Sequence, residues 1–488
     1  MNILFLKNSH VSTSNIRALL SVRGFILAVI FISSALITLL PGEYLTEQLA
    51  ISAALVLATV GMLATGIVSE QLAVLIFFFF AMIGSVSAPE VVFSGFYSSA
   101  FWLVFGGLVI GAAVDRTGLG GRIAKSIIYC IKGNYSSVIA AVILLNILLI
   151  FLMPSTLSRV VLLIPIVLAL ANSLGYAAGS PPRNGIVMAT VLTAYLGSTS
   201  VLPANVPNNV LMGAAESFQG VQLHYFNYLV LHFPVLGFLK SLVVWVCVVW
   251  LFRPREKIDD YSKGIQPTAP IMTAAFSSEE RRLSLFLIVA LLLWSTDKIH
   301  GTAPAWISLG VGILCLVPLL GVISSETFKE KVPISPLLYV AGIIGVGAVV
   351  ADTGLGTFIS ERIVNASNLA PDDPLRGFFV LSGTAMLLGF FSTMPGVPAI
   401  LVPIASDLSA ASGLNLNAVL MTQVVGFSTV WLPYQVPPII VGMQLAGVPM
   451  MAGIKITALI GLISLVVLNP LTAVWWQILG YLPDGLLF

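Results

Sequence analysis

Hydroxyl and amide residues cluster beside prolines at four places where long apolar runs are interrupted. Two interruptions are MPSTLSR (153–159) and FFSTMPGVP (390–398), and the other two are GSTSVLPANVPNN (197–209) and GFSTVWLPYQVPP (426–438). Free N–H groups at the start of a helix attract anions, and freed carbonyl and hydroxyl oxygens bind hard cations. These residue types therefore predict reversible binding of small ions rather than covalent catalysis.

The first two interruptions predict the tips of two re-entrant hairpins, the first of them near Pro154. Ser155 and Thr156, like Ser392 and Thr393, suit the start of the following helix, because a hydroxyl accepts hydrogen bonds from free N–H groups. Such a helix start inside a membrane attracts an anion. We therefore predict that these four residues bind a substrate anion and contribute to Na⁺ sites.

The other two interruptions predict helices that are broken inside the membrane. Prolines at 203 and 207, and again at 433 and 437, cannot sit inside a regular helix and leave backbone carbonyls free. The oxygen-rich residues predicted to bind Na⁺ there are Gly197, Ser198, Thr199, Ser428 and Thr429, with Ser200 nearby. The amides predicted to bind the substrate are Asn205, Asn208 and Gln435. In the alternative interpretation, the small residues only allow helices to pack closely.

Arg159 lies just past the first hairpin tip, and a charge at that depth is costly and usually functional. It faces either a substrate carboxylate or, by extending along its helix, cytoplasmic water. The equivalent residue in the second half is Val397, so the charge is not repeated. Asp407 is a weaker candidate for binding a cation or proton, whereas Asp115 and Asp352 are expected to anchor helix ends at the interface.

The composition requires lipid as the solvent. Hydrophobic residues make up 58% of the 488, charged residues 9%, and the mean hydropathy is +1.04; a soluble domain carries about 25% charged residues. The apolar runs last about 18–25 residues without strict alternation, which suits helices and not a β-barrel. We predict an all-α membrane protein with about eleven transmembrane helices plus the two hairpins.

The chain divides into two halves around a polar loop. The predicted parts are 1–46 (tail and first span), 47–252 (first half, with a hairpin at about 134–175 and a broken helix at about 185–215), the loop 253–282, and 283–488 (second half, with a hairpin at about 375–412 and a broken helix at about 416–445). The uninterrupted spans are predicted at 22–40, 47–68, 71–87, 100–116, 225–251, 283–297, 303–322, 334–352 and 452–478.

Lysine and arginine positions predict the orientation. Basic residues mark the N-terminal tail and the loop 253–282; they are Lys7, Arg17, Arg23, Arg253, Arg255, Lys257, Lys263, Arg281 and Arg282. We predict a multi-pass protein of a bacterial inner membrane, with its N-terminus in the cytoplasm and its C-terminal YLPDGLLF outside. A signal peptide is the alternative for the first apolar run, but no A-x-A cleavage site follows it.

The two halves resemble each other. VFGGLVIGAAVDRTGLGGRI (104–123) matches YVAGIIGVGAVVADTGLGTFI (339–359), and the shared TGLG is displaced by 353 − 117 = 236 residues. STLSRVVLLIPIV also matches STMPGVPAILVPIA, and LPANVPN matches LPYQVPP. Three matches in the same order predict an internal repeat. A basic excess follows the first TGLG but not the second, which predicts that the second copy is inverted in the membrane.

No metal, cofactor or nucleic-acid motif accompanies these features. Cys130, Cys247 and Cys315 lie far apart, and the four histidines lack metal-ligand spacing. The net charge of +2 is too small to suggest nucleic acid. We expect no cofactor besides Na⁺ as a coupling ion, no enzymatic activity and no nucleic-acid partner.

The interruptions resemble motifs of the divalent anion/sodium symporter family, the sodium-coupled dicarboxylate, citrate and sulfate carriers. The resemblance covers most of the chain, since MPSTLSRVVLLIPI is similar to a Ser-Asn-Thr hairpin tip and VPNN to the turn after a broken helix. Ser155 and Ser392 correspond to the motif serines, and Asn208 to the turn asparagine. The resemblance implies a homodimeric carrier in which 134–215 and 375–445 move as an elevator against a scaffold.

Both hairpin motifs are altered in the same way. Thr156 and Thr393 stand where the family has asparagine, and Leu157 and Met394 where it has threonine. Leucine and methionine cannot donate a hydrogen bond to a carboxylate. The resemblance therefore implies the fold more firmly than the substrate or the coupling ion.

The leading hypothesis is a secondary transporter that couples Na⁺ to symport of a small organic anion, with a dicarboxylate as the default. The alternative is an ion antiporter or an inorganic oxyanion transporter of the same superfamily, and a membrane-embedded enzyme is a remote third. Sodium dependence of uptake separates the first two.

Overall fold

The computed structural model describes residues 13–39, 46–129, 134–254, 275–367 and 369–483. Within these ranges every regular element is a helix. Eight helices are long and apolar enough to cross a membrane, or nine if one bent pair counts as a span. The all-α membrane fold is confirmed, whereas the count of eleven spans and the re-entrant nature of the hairpins stay predictions.

Twelve α-helices are described between Thr13 and Leu251, and the span Tyr225–Leu251 includes a π-helical stretch at Phe233–Leu239. The helices are α1 Thr13–Leu39, α2 Glu47–Thr65, α3 Glu70–Ile83, α4 Pro89–Val92, α5 Ser99–Thr117, α6 Leu119–Tyr129, α7 Tyr135–Leu152, α8 Thr156–Ser173, α9 Pro181–Leu196, α10 Val206–Gln219, α11 Tyr225–His232 and α12 Lys240–Leu251.

The second half begins with a capping box, in which Ser277 accepts from the Glu280 N–H and the Glu280 carboxylate accepts from the Ser277 N–H. Its helices are α13 Ser278–Ser295, α14 Asp297–His300, α15 Pro304–Leu316, α16 Ser325–Lys331, α17 Ser335–Asp352, α18 Leu355–Ser367, α19 Pro374–Phe391, α20 Gly396–Leu401, α21 Ala405–Ser412, α22 Leu416–Phe427, α23 Pro437–Ala446, α24 Met450–Ile463 and α25 Asn469–Ile478.

Four span boundaries differ by more than three residues from the sequence prediction. Helix α1 begins at Thr13 rather than 22, and α3 ends at Ile83 rather than 87. Helix α13 begins at Ser278 rather than 283, because the capping box extends it into the polar segment. Helix α15 ends at Leu316 rather than 322, because Pro318 cannot continue a helix. Several residues named in the sequence analysis, or counted in the basic excess after the first TGLG, lie outside the described ranges; they are Lys7, Cys130, Lys132, Arg255, Lys257, Lys263 and the end of the C-terminal segment, 484–488.

The order of elements agrees with the predicted repeat. Each half has a long helix, a short amphipathic helix, a helical hairpin and a broken helix: α5–α10 in the first, α17–α23 in the second. Lys331, just before α17, forms an ion pair with Asp115 near the end of α5. Helix α5 therefore ends where α17 begins, so the two run in opposite directions, as an inverted repeat requires.

Basic side chains gather at one end of the molecule, which we call the basic end. Arg122 of α6 binds Glu280 through two hydrogen bonds of 2.7 and 3.0 Å, and Arg116 lies 3.6 Å from Glu279. Arg282 donates to the carbonyls of Leu319 and Leu320 in the turn after α15. The ends of α5 and α15 and the start of α13 therefore meet at this end.

Candidate functional site

The first hairpin turns at Met153–Ser155, between α7 and α8. Ser155 caps α8, because its hydroxyl accepts from the Ser158 N–H at 3.3 Å and from the Ser158 hydroxyl at 2.9 Å. Pro154 packs against Gly107, near the middle of the spanning helix α5. The tip therefore lies level with the middle of α5, and the chain turns at Pro154, as the sequence predicted.

The second hairpin turns at 392–395, between α19 and α20. The Ser392 hydroxyl donates to the Thr393 carbonyl at 3.1 Å, and the Thr393 hydroxyl shares a hydrogen bond of 2.8 Å with Tyr339 of α17. Neither residue caps the next helix, contrary to expectation, because α20 begins only at Gly396, after Pro395. The two tips therefore have different local structure despite their similar sequences.

The first broken helix is interrupted between α9 and α10, over 197–205. Short 3₁₀ turns at Gly197–Ser200 and Leu202–Ala204 replace the regular helix, and Asn205 caps α10. The Asn208 amide donates to the carbonyls of Ser198 and Val201 at 3.0 and 2.9 Å. This predicted substrate ligand therefore closes the break, as a second donor to two carbonyls that also accept backbone N–H groups of the 3₁₀ turns.

The second break, between α22 and α23, is closed by Gln435. Its side-chain oxygen accepts from the N–H groups of Trp431 and Leu432 at 2.8 and 2.9 Å. Its nitrogen donates to the carbonyl of Gly389, just before the second hairpin tip, at 2.8 Å. Gln435, also predicted to bind substrate, therefore ties the second break to the second hairpin.

Arg159 joins the first hairpin to the first break. Its side chain is fully buried, at 0% exposed, and does not extend to water. One terminal nitrogen donates to the carbonyls of Ala194 and Ala204 at 3.1 and 3.2 Å and to the Ser198 hydroxyl. Further partners are the Thr156 hydroxyl, at 3.2 Å, and the Met153 carbonyl. All these oxygens are neutral, and no described carboxylate lies within ion-pair distance of Arg159.

A second buried cation, Lys240, binds at the second break, and sequence reasoning missed it. It is also 0% exposed, and its ammonium donates to the carbonyl and the hydroxyl of Ser428, each at 2.9 Å. Lys240 comes from α12, outside both hairpins and both broken helices. The signal in the sequence was a single lysine in the middle of the 27-residue span Tyr225–Leu251, where a charge is costly.

The remaining residues of the predicted cation shells donate mainly within their own helices. Thr199, Ser200 and Thr429 bond to carbonyls three or four residues earlier in the chain. The Thr199 carbonyl accepts from the Tyr228 hydroxyl at 2.8 Å. Of the residues predicted to bind Na⁺, Thr156 and Ser198 therefore contact Arg159, and Ser428 contacts Lys240.

Hairpins and broken helices from the two halves pack crosswise. Helix α8 packs against α23, where Gly442 faces Val160 and Val191, and α10 packs against α20. The Tyr195 hydroxyl of α9 donates to the Phe427 carbonyl of α22 at 3.1 Å. Helices α7–α10 and α19–α23 therefore form one interlocked unit. Helix α12 packs against α7 and α9 of this unit and binds the second break through Lys240, and we call the unit together with α12 the hairpin core.

The predicted acidic residues lie away from the breaks. Asp407 is exposed and accepts from the Ser360 hydroxyl at 2.9 Å, Asp115 pairs with Lys331, and Asp352 is exposed at the end of α17. Within the described ranges, no three His, Cys, Asp or Glu side chains are grouped in a way that could hold a metal ion.

Comparison with known proteins places this geometry in context. A family model described as "Sodium:sulfate symporter transmembrane region" matches residues 21–482. A membrane protein of Cupriavidus necator is 25% identical over 350 residues, covering 71% of this chain and 67% of its own. The inner membrane protein YbhI of Escherichia coli is 25% identical over 340 residues (67% and 68%), and the L-tartrate/succinate antiporter of the same species is 24% identical over 397 residues (79% and 80%).

Proposed function

We propose that this chain, which belongs to the sodium:sulfate symporter family, exchanges small organic dianions across a membrane. Membership makes it a multi-pass membrane transporter and not an enzyme. One observation carries the more specific proposal. Side-chain cations of the protein itself, Arg159 and Lys240, occupy the two breaks at which the sequence predicted Na⁺.

The argument rests on the charge of the hairpin core. The Arg159 guanidinium and the Lys240 ammonium are hydrogen-bonded only to neutral oxygens. Neutral partners offset little of the free energy needed to bury a charge, so both groups still favour a nearby anion. The capped starts of α8 and α10 add positive potential beside Arg159. A dianion bound between the hairpin tips offsets two fixed positive charges, so the loaded core is close to neutral and the empty core is not.

This difference favours exchange over symport. In a carrier whose anion is neutralised by bound Na⁺, the core has no uncompensated charge after both solutes have left. That unloaded core can cross back through the membrane without a substrate. A core with two fixed cations crosses the membrane at low cost only with a dianion bound. Every dianion that leaves must then be replaced by another. The relative named L-tartrate/succinate antiporter supports both this mode and this class of substrate.

Uptake into proteoliposomes tests the proposal. Labelled succinate is offered to liposomes that contain either unlabelled succinate or buffer alone, in sodium or choline salts. We expect rapid uptake only into succinate-loaded liposomes, and equal rates in the two salts. A Na⁺ gradient that drives uptake into liposomes containing buffer alone would refute exchange and support the sodium-coupled alternative.

Variants of Arg159 test the observation that carries the proposal. Arg159→Met removes one fixed charge, and we expect succinate exchange to fall by about 100-fold, since a net charge at mid-membrane costs roughly 3 kcal/mol. Arg159→Lys keeps the charge and should retain more activity. The matched control is Arg183→Met. It removes a half-buried arginine at the start of α9 whose side chain binds Asn172 of α8. Unchanged exchange by Arg159→Met would contradict the assigned role.

Sodium coupling and sulfate transport are the alternatives that the family description itself favours. Sodium is tested by the salt comparison above. Sulfate is tested by competition, because an oxyanion carrier would lose succinate uptake when sulfate is added outside. We expect succinate and tartrate to compete with labelled succinate, and sulfate to compete much less.

We also propose an orientation in a bacterial inner membrane, with the basic end in the cytoplasm. Arg116, Arg122 and Arg282 lie at that end. The last helix ends at the opposite side, since Trp475 of α25 donates to the carbonyl of Val230, in the first third of the span Tyr225–Leu251. This supports a C-terminus outside and, with the family resemblance, a homodimer in lipid whose hairpin core moves as a unit.

A further inference from the structure

Four buried polar side chains form two pairs between the hairpins and the broken helices, and dianion exchange uses none of them. The first pair is Asn146 on α7 and Thr193 on α9, and the second is Ser382 on α19 and Gln423 on α22. None of the four is more than 1% exposed.

Neighbouring contacts show that the first pair points into one gap. Ile150 lies against Gly197 where α7 meets α9. Asn146 and Thr193 each precede that contact by four residues, which is about one helical turn and returns to the same face. The two helices also meet at their starts and so run in the same direction. Asn146 and Thr193 therefore face each other one turn before the contact.

The second pair is placed in the same way. Ala385 packs against Gly426 where α19 meets α22, and Ser382 and Gln423 each precede that contact by three residues. The starts of these helices also meet, since Gly377 lies beside the chain entering α22. Ser382 and Gln423 therefore face each other across the helix interface.

The two pairs occupy matching positions in the repeat. The displacement from Thr193 to Gln423 is 423 − 193 = 230, equal to the displacement between the proline motifs of the broken helices, 432 − 202 = 230. The hairpin serines are displaced by 392 − 155 = 237, which carries Asn146 to 383, next to Ser382. A polar pair at this place is therefore a feature of both halves.

Each pair contains polar atoms without a partner. Among the described residues no hydrogen bond reaches Oδ1 of Asn146, Oγ1 of Thr193, Oγ of Ser382, or either polar atom of the Gln423 amide. Such atoms between apolar helices are strongly destabilising unless something binds them. A cation would satisfy Oε1 of Gln423 but would face the N–H donors of the same amide. Water both donates and accepts, so it fits all five atoms.

We propose that each pair holds an ordered water molecule that clasps the first arm of a hairpin to the first half of the neighbouring broken helix. The clasp makes the two elements move together, and it occurs once in each half. It does not depend on which solute is carried.

High-resolution electron cryomicroscopy of the protein in lipid nanodiscs tests this directly, in sodium and in choline salts. We expect one density about 2.7–3.2 Å from the unpartnered atoms of each pair, the same in both salts. The proposal is overturned if both gaps are empty in a map that resolves other buried waters. A density that appears only with Na⁺ overturns it too.

A thermal double-mutant cycle gives an independent test. In the otherwise unchanged protein, Thr193→Val should lower the melting midpoint by roughly 1–3 °C. In the Asn146→Leu variant the same change should lower it little further, because the water bridge is already broken. The control is Thr190→Val, whose hydroxyl bonds the Ile186 carbonyl of its own helix at 2.9 Å and should add independently. Additive effects of Asn146→Leu and Thr193→Val would overturn the shared water.

Discussion

Replacing Lys240 by methionine should change the charge of the preferred substrate. Among the described residues, the variant keeps Arg159 as the one buried cation of the hairpin core. A bound dianion then leaves one net negative charge, whereas a bound monoanion leaves none. We expect succinate exchange to fall by about 100-fold, from roughly 3 kcal/mol for a net charge at mid-membrane. Exchange of monomethyl succinate, which has similar length and one charge, should rise relative to succinate.

The variant should still fold. Lys240→Met removes two hydrogen bonds from a charged donor to Ser428, which together contribute about 3–6 kcal/mol. It also removes a buried ammonium whose desolvation costs several kcal/mol. These effects are opposite in sign and similar in size, and methionine fills much of the same volume.

The assay is exchange of labelled succinate and labelled monomethyl succinate in proteoliposomes, with matched amounts of monodisperse protein. Lys455→Met is the control, because it removes an exposed lysine from another apolar helix, α24. Equal losses for the two substrates would mean that Lys240 holds the break without setting the charge balance. Wild-type rates for both would refute its role altogether.

Three further predictions concern helix caps and side-chain hydrogen bonds that stabilise the fold. Ser155→Ala should cost about 1 kcal/mol of stability and weaken succinate binding, whereas Ser392→Ala should affect stability less, because only Ser155 caps a helix; thermal shift with and without succinate measures both. Asn208→Ala should destabilise by about 1–3 kcal/mol, since it removes two buried hydrogen bonds to the Ser198 and Val201 carbonyls, which keep only their backbone N–H donors. Glu280→Gln should destabilise by about 2 kcal/mol by breaking the two-bond contact with Arg122.

Each of these has an outcome that contradicts it. Equal destabilisation by Ser155→Ala and Ser392→Ala would mean that capping of α8 is unimportant. Asn208→Ala is compared with Asn209→Ala, whose side-chain oxygen has no partner among the described residues, and equal effects would remove the special role of Asn208. The control for Glu280→Gln is Glu279→Gln, which breaks the longer and more exposed ion pair between Glu279 and Arg116. The control should change stability by less than about 1 kcal/mol.

The sequence predicts much of the architecture because proline and hydroxyl residues act locally. Pro203 and Pro207 interrupt a helix wherever they occur, and the break appears between α9 and α10. The cap formed by Ser155 also depends only on adjacent residues. Local rules fail at Ser392, where Pro395 delays the helix start and leaves the serine outside the capping position.

The contents of the site depend on contacts between distant segments, which a single sequence does not specify. Lys240 meets Ser428 across 188 residues, and Asn208 and Gln435 bind carbonyls that only the folded breaks bring within reach. Oxygen-rich breaks alone predicted Na⁺ ligands. Whether an ion or a side chain occupies them is decided by which helix packs alongside.

The most direct test of the central claim is efflux. Liposomes containing the protein and labelled succinate are diluted into choline medium with or without unlabelled succinate outside. The account predicts that label leaves only when external succinate is present, because the empty core carries two uncompensated charges. Equally fast efflux into succinate-free medium, or efflux that starts when Na⁺ alone is added, would contradict it.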